Sequence, residues 1–213
     1  MRRRFALFLA LVLPVFAKPA DWAKAIDAFT QADAAQPPRD AALFIGSSSI
    51  VKWTTLARDF PGVPVINRGF GGSELADSVF YLDRIAIPYH PRVVVLYAGD
   101  NDLAAGQPPE AVAASFEAFC AKLHAALPAT RIVYLAIKPS PSRWKLKDQV
   151  VRANALIAAF CARDPRRAFV DVYTPMLDAR GQPRPELFVA DMLHMKPAGY
   201  AIWTPLVAPF LQP

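Results

Sequence analysis

The chain has 213 residues, a length that suits one large domain. Hydrophobic residues make up 54% of the sequence, which is enough for a sizeable core and excludes an intrinsically disordered chain or a small disulfide-stabilised fold. The formal net charge is +6, but three of the 24 basic residues are Arg2, Arg3 and Arg4. Without them the charge would be about +3, which predicts no nucleic-acid partner.

Residues 1–17 predict a secretory signal peptide. The three arginines precede an apolar stretch, Phe5 to Ala17, with Val15 and Ala17 at the −3 and −1 positions of a signal-peptidase site. The alternative is an uncleaved membrane anchor, but the stretch is shorter than the roughly 20 residues needed to cross a bilayer, and Pro14 interrupts it. We therefore expect an exported protein, periplasmic or secreted, with no stable membrane span after cleavage.

An N-terminal helix is predicted within residues 18–38, because Trp22, Ile26 and Phe29 recur at helical spacing. The main domain, residues 39–213, then contains five apolar runs rich in β-branched and aromatic residues, at 41–46, 63–67, 92–99, 131–138 and 168–173. Helical patterns lie at 110–127, 148–163 and 198–211. Strands that alternate with helices predict the α/β class: a single doubly wound, flavodoxin-like domain with a five-stranded parallel sheet and helices on both faces.

Residues that follow the strands are candidate site residues, because doubly wound sheets bind ligands beyond the carboxyl ends of their strands. Ser47, Ser48 and Ser49 follow the first strand, where a hydroxyl could project from a strand-to-helix turn or could simply cap the helix. The second strand ends in a glycine-rich segment, residues 67–74. Its backbone N–H groups could face a ligand, although a flexible turn would have the same composition.

Two further polar groups follow later strands. Asp100, Asn101 and Asp102 come directly after the third strand and could form an Asx-turn, or the Asn101 amide could donate a hydrogen bond into the cleft. His194 is the histidine that has a carboxylate, Asp191, three residues upstream. In a turn this spacing can bring the carboxylate to the imidazole Nδ1–H and leave Nε2 facing a serine, although a surface ion pair would show the same pattern.

The remaining features give weaker indications. Cys120 and Cys161 lie on predicted core-facing helix positions and could either pair or remain free buried thiols. The sequence has no Cys-x-x-Cys motif or Cys/His cluster, so we predict no metal site. Arg143 and Trp144 follow the fourth strand, where they could offer a cation and an aromatic ring at the substrate rim or belong to a solvated, proline-stiffened loop.

Taken in chain order, these segments resemble the SGNH (GDSL-type) hydrolase superfamily over roughly residues 39 to 211. LFIGSSSI resembles the first family block, G-D-S, with Ser47 in the place of the usual aspartate. NRGFGGSE resembles the second block, GDND is similar to the third block, G-x-N-D, and DMLH matches the block D-x-x-H. The resemblance implies Ser48 as nucleophile, His194 as base and Asp191 as its orienting acid. It further implies an oxyanion hole made by the backbone N–H groups of Ser48 and Gly72 and the side-chain amide of Asn101; Gly71 is adjacent.

The activity implied by this resemblance is hydrolysis of a carboxylic ester through an acyl-enzyme, with no metal or organic cofactor. The substrate would be a small-molecule, glycan or lipid ester, and the lack of a long insertion that could form a lid favours short acyl chains. Two alternatives remain. One is a carbohydrate O-acetyl esterase, and the other is a secreted binding protein that keeps the scaffold without the chemistry.

Overall fold

The computed structural model describes residues 19–34 and 41–212, and its centre is an all-parallel five-stranded sheet. The strands are β1 (Ala42–Gly46), β2 (Val65–Gly69), β3 (Val93–Tyr97), β4 (Arg131–Leu135) and β5 (Arg167–Val170). Their order across the sheet is β2-β1-β3-β4-β5. The chain adds β2 on one side of β1, and then adds β3, β4 and β5 in turn on the other side. This topology confirms the predicted α/β fold. The predicted signal peptide, residues 1–17, lies outside the described residues.

Eight α-helices are described along the chain. They are α1 (Pro19–Ala32), α2 (Ser48–Val51), α3 (Leu56–Asp59), α4 (Leu75–Ile85), α5 (Asp100–Ala104), α6 (Pro109–Ala126), α7 (Lys147–Cys161) and α8 (Pro197–Leu211). The patterns at 110–127, 148–163 and 198–211 predicted α6, α7 and α8 to within two residues. The sequence analysis did not predict α4, which begins with a capping box between Glu74 and Asp77.

Both faces of the sheet are buried because successive strand residues point to opposite sides. Leu43 and Ile45 of β1 belong to one apolar cluster, which includes residues of α1, α4, α6 and α7. Phe44, between them, belongs to a second cluster, formed on the other face with Trp53 and with Trp203 of α8. β1 and β3 are buried along their whole length, as their almost uninterrupted apolar sequences predict.

Polar contacts of Asp27, within α1, and Asp33, just after it, attach this helix to the rest of the domain. The Asp33 carboxylate accepts hydrogen bonds from the buried guanidinium of Arg68 and from the Tyr89 hydroxyl. The Arg68 guanidinium also lies 4.8 Å from the centre of the Tyr89 ring. A second ion pair joins Arg84 of α4 to Asp27, at 2.7 Å. The N-terminal helix is therefore an integral layer of the fold.

The structure also describes the state of the two cysteines and the length and polarity of the helices. Cys120 and Cys161 are free and buried, and burial raises the pKa of both thiols, that of Cys161 to about 11. Within residues 19–34 and 41–212, no helix is both long enough and apolar enough to cross a bilayer.

Candidate active site

The turn after β1 places Ser48 at the carboxyl edge of the sheet. Gly46 has φ +142°, and the Ser47 N–H donates to the Tyr97 carbonyl at the end of β3. Phe70, beyond the end of β2, donates its N–H to the Gly46 carbonyl at 2.8 Å. The turn is thus held from both neighbouring strands. Ser48 is the first residue of α2, so its N–H has no helical carbonyl one turn before it and remains available to a ligand.

Ser48, His194 and Asp191 form one continuous hydrogen-bonded chain. The Ser48 Oγ lies 2.9 Å from His194 Nε2, and His194 Nδ1 lies 2.6 Å from Asp191 Oδ2. The other carboxylate oxygen of Asp191 accepts the backbone N–H groups of Leu193 and His194, each at 2.9 Å. The hydrogen bond from His194, followed by those two N–H groups, lowers the pKa of Asp191, which is therefore a carboxylate at neutral pH.

The two serines that flank Ser48 do not share this contact. Ser47 and Ser49 are buried, and neither hydroxyl has a hydrogen-bond partner among the described residues. Ser47 occupies the N-cap position of α2 but makes no side-chain capping bond, so the capping alternative for this residue is not seen. Of the three serines, the structure brings Ser48 to the imidazole.

Hydrogen bonds join the loop that carries His194 to the segment after β4. Both the N–H and the hydroxyl of Ser142 donate to the Met192 carbonyl, each at 3.0 Å. Met192 has φ +55°, a left-handed conformation that is uncommon for a residue with a side chain. The Val189 N–H closes the loop by donating to the His194 carbonyl at 2.9 Å. These hydrogen bonds hold the backbone that carries the His194 imidazole in one position.

The glycine-rich segment after β2 lies directly against the serine turn. The Asn67 amide donates to the Ile50 carbonyl at 2.6 Å, and its oxygen accepts the Gly69 N–H at 2.9 Å. A β-carbon added to Gly71 would lie 3.8 Å from the Ser48 β-carbon. Gly72 has φ +85°, and a β-carbon there would come within 3.0 Å of the Trp22 ring of α1. Gly71 therefore lies beside Ser48, and Gly72 lies under the Trp22 ring of α1.

Asn101, in α5, completes the group of predicted residues. Its amide nitrogen donates to the Ser73 carbonyl at 3.0 Å, which joins the segment after β3 to the one after β2. Its amide oxygen accepts a hydrogen bond from Arg143 Nη2 at 2.9 Å. The sequence analysis missed this contact. It placed Trp22 in the N-terminal helix but did not predict that this ring packs edge-to-face on Phe70, with ring centres 6.1 Å apart.

Arg143 and Trp144, the predicted rim residues, line a narrow pocket with Lys138 and Tyr173. Arg143 retains 22% side-chain exposure while it contacts Asn101. The Trp144 ring has the Lys147 ammonium group 5.7 Å from its centre. A contact of either residue with substrate stays a prediction. Among the described residues, no group of three or more His, Cys, Asp or Glu side chains could hold a metal ion.

Comparison with known families gives this geometry a context. The sequence model of the GDSL-like lipase/acylhydrolase family matches residues 45–202, which contain Ser48, Asn101 and His194. The chain belongs to this family. The membership confirms the resemblance inferred from the four sequence blocks, and it establishes a hydrolase of the esterase type. A search among curated proteins finds no match.

Solved structures show that this acylhydrolase shares its fold with proteins of low sequence identity. A Streptococcus pneumonia protein described as a platelet activating factor is 21% identical, with a TM-score of 0.80, 91% of this chain and 94% of the other covered. A GDSL-like lipase from Bacteroides thetaiotaomicron is 21% identical, with a TM-score of 0.71 and coverages of 92% and 98%. An acetylxylan esterase from Geobacillus stearothermophilus is 13% identical, with a TM-score of 0.64 and coverages of 82% and 94%.

Asp102, the last residue of the GDND block, has a buried side chain in this acylhydrolase. Its Oδ1 accepts the Leu75 N–H at 3.0 Å, at the start of α4, and its Oδ2 has no hydrogen-bond partner among the described residues. Burial raises the pKa of Asp102 to about 7; the Leu75 N–H opposes this shift and the charge of Glu74 adds to it. Asp102 is therefore a link between the segments after β3 and β2.

The raised pKa of Asp102 predicts a pH-dependent stability difference from Asp102→Asn. Between about pH 4 and pH 7 the folded protein keeps a proton that the unfolded chain loses, so the wild type loses stability as the pH rises through this range. The variant lacks this titration. From pH 4 to pH 8 its free energy of unfolding should therefore gain up to about 4 kcal/mol relative to the wild type. Urea unfolding of both proteins at each pH measures the change, and a difference independent of pH would contradict the expectation.

Proposed function

We propose that this acylhydrolase is a serine carboxylic-ester hydrolase that acts on short acyl groups through an acyl-enzyme on Ser48. The observation that carries the proposal is the chain of contacts from Ser48 Oγ to His194 Nε2, 2.9 Å, and from His194 Nδ1 to Asp191, 2.6 Å. A serine hydroxyl is a weak nucleophile until a base takes its proton, and an orienting carboxylate stabilises the imidazolium that results.

In the first half of the reaction, His194 Nε2 accepts the hydroxyl proton while Ser48 Oγ bonds to the ester carbonyl carbon. The carbonyl π electrons move to the oxygen, giving a tetrahedral oxyanion. His194 then gives its proton to the departing alcohol oxygen as the carbon–oxygen bond breaks. In the second half, His194 takes a proton from water, the resulting hydroxide attacks the acyl carbon, and the proton returns to Ser48 Oγ as the carboxylic acid leaves.

Three donors are proposed to stabilise the oxyanion, and the described contacts support two of them. The Ser48 N–H is free at the start of α2, and Asn101 has one amide hydrogen beyond the one given to Ser73. We assign the third donor to the backbone N–H of Gly72, in the segment that adjoins Ser48. Donors fixed in advance need no reorganisation when the charge develops, and removing one typically costs about 2.7–4 kcal/mol of transition-state stabilisation.

The proposal of a short acyl chain rests on two apolar side chains that neighbour Asp191 and His194 in the sequence. Val189 and Met192 are partly exposed on the loop that carries Asp191 and His194. Two such side chains can cover a small acyl or alcohol group, whereas a long fatty acyl chain needs a more extended apolar channel. We further propose, from the pattern of residues 1–17, that the enzyme acts after export from the cytoplasm.

A carbohydrate O-acetyl ester is the second candidate substrate. The structural similarity to an acetylxylan esterase supports it, together with the position of Trp144 beside the pocket lined by Arg143. An aromatic ring next to a hydrogen-bonding cation can contact both the apolar face and the hydroxyls of a sugar. This candidate uses the same acyl-enzyme chemistry and differs in the alcohol that leaves.

The experiment is hydrolysis of p-nitrophenyl esters from acetate to palmitate by residues 18–213, with acetate release from acetylated xylo-oligosaccharides measured in parallel. We expect the highest kcat/KM at acetate or butyrate. A maximum at long chains would contradict the short-acyl proposal. If folded protein hydrolysed no ester and did not react with a fluorophosphonate, which labels an activated serine, the catalytic proposal would fail in favour of a binding role.

A further inference from the structure

The two hydrogen bonds of the Asn101 side chain fix the orientation of its amide. Arg143 Nη2 can only donate, so it must face the amide oxygen, and the Ser73 carbonyl can only accept, so it must face the amide nitrogen. The two contacts, 2.9 Å and 3.0 Å, therefore exclude the flipped amide. One of the two amide hydrogens is left for a ligand in the cleft.

Arg143 is in turn held by a buried ion cluster. Asp100 Oδ2 lies 3.2 Å from Arg143 Nη1 and 3.1 Å from Lys138 Nζ, and the Tyr97 hydroxyl donates to the same oxygen at 3.3 Å. The Lys138 side chain is 1% exposed. These residues come from the ends of β3 and β4, so the cluster joins two strand ends under the site.

The charges of this cluster favour a neighbouring anion. Burial by itself raises the pKa of Asp100, but the attraction of Lys138 and then of Arg143 outweighs it, so the carboxyl pKa is lowered and the group is ionised at neutral pH. Burial lowers the pKa of Lys138, and the charge of Asp100 opposes that shift. The Arg143 guanidinium stays protonated at any ordinary pH, so a positive group lies beside the Asn101 amide.

A purely structural role would account for Asp100 and Lys138 but not for the contact made by Arg143. The Lys138–Asp100 pair alone can tie the two strand ends together at 3.1 Å. Arg143 adds a charged donor on the oxygen of Asn101, at 2.9 Å. Such a hydrogen bond polarises the amide, and hydrogen bonds in a chain strengthen one another, so the free N–H becomes a stronger donor.

We propose that Arg143 is a positioning residue for hydrolysis: it fixes the Asn101 amide and polarises it, so that the free amide hydrogen points to the developing oxyanion. This inference rests on the proposed function, in which Asn101 is an oxyanion donor. It predicts that Arg143 affects the rate of the chemical step through Asn101, with little effect on substrate binding.

A double-mutant cycle tests this dependence with the p-nitrophenyl ester of highest turnover. Arg143→Met should lower kcat about 10- to 100-fold with little change in KM, less than the roughly 100- to 1000-fold loss expected when an oxyanion donor itself is removed. In the Asn101→Ala background the same change should lower kcat less than about threefold, because the group it acts on is absent. Arg143→Lys should fall between the wild type and Arg143→Met, since it keeps the charge but loses the planar fork.

Arg152→Met is the matched control, because Arg152 makes an exposed ion pair with Glu110 at 3.0 Å and should leave kcat unchanged. An equal fold-loss of kcat from Arg143→Met in the wild-type and Asn101→Ala backgrounds would overturn the proposal, because Arg143 would then affect the reaction independently of Asn101. A rise in KM with unchanged kcat would overturn it in favour of a direct rim contact with substrate.

A second readout does not depend on turnover. The side-chain amide signals of Asn101 in a ¹⁵N-labelled protein can be assigned by their loss in Asn101→Ala. Arg143→Met should shift these signals and speed the exchange of the amide hydrogens with solvent, while Arg152→Met should leave them unchanged. Unchanged signals in a folded Arg143→Met protein would refute the positioning role even if no ester were hydrolysed, whereas an inactive wild type would count against the proposed function alone.

Discussion

Replacing Ser48 with alanine is expected to lower kcat for ester hydrolysis by about 10⁴- to 10⁶-fold, the scale observed when a triad nucleophile is removed. The Ser48 Oγ is the atom placed 2.9 Å from His194 Nε2, and alanine leaves the base with nothing to deprotonate. Folding should be unaffected, because the residue is only half-buried at the start of α2. Steady-state hydrolysis and the thermal unfolding midpoint measure the two effects.

The serine run supplies its own control for this prediction. Ser49→Ala removes a hydroxyl one residue away that is buried and has no partner among the described residues, so its kcat should remain within a few-fold of the wild type. Near-normal turnover in Ser48→Ala, or a comparable loss in Ser49→Ala, would show that the nucleophile has been assigned to the wrong residue.

Gly46→Ala is expected to destabilise the fold by more than about 3 kcal/mol. An added β-carbon would lie 1.9 Å from the Tyr97 carbonyl oxygen, and this oxygen belongs to the backbone of a buried strand and cannot swing away. The φ of +142° is also strained for any residue with a side chain. Urea denaturation measures the loss, and failure to obtain folded protein would agree with the expectation.

Gly62→Ala is the matched control for the backbone contribution. Gly62 has φ +80°, but an added β-carbon there would meet nothing within 4 Å, so only the conformational cost of about 1–2 kcal/mol is expected. If Gly46→Ala lost no more stability than Gly62→Ala, the close approach of β1 to Tyr97 would not be a constraint on the serine turn.

The parts of the molecule that were predictable from sequence are those with a local signal. The apolar run around β3 has no polar alternation, which indicates a strand covered on both faces, and the fold class follows from five such runs. Helix α4 was missed although Glu74 and Asp77 form a capping box at its start. That box pairs two acidic residues, whereas the usual sequence signature begins with serine or threonine.

The ion cluster under Asn101 had no comparable local signal. Lys138 ends an apolar run, and a lysine there is ordinarily expected to reach solvent. Its burial depends on the carboxylate of Asp100, which comes from the neighbouring strand end far away in the sequence. The contact of Arg143 with Asn101 likewise depends on how β3 and β4 lie side by side, and a single sequence does not record that register.

Helix α1 contacts the glycine-rich segment although it lies outside the part of the sequence that carries the motifs. Residues 45–202, the region shared with the family, include the site residue of every motif block, yet the ring that covers Gly72 is Trp22 of α1. A chain that lacked α1 alone would keep every motif residue and would lose the contact of Trp22 with Phe70 and the glycine-rich segment. Changes in α1 could therefore alter the surroundings of the glycine-rich segment while every motif residue stayed the same.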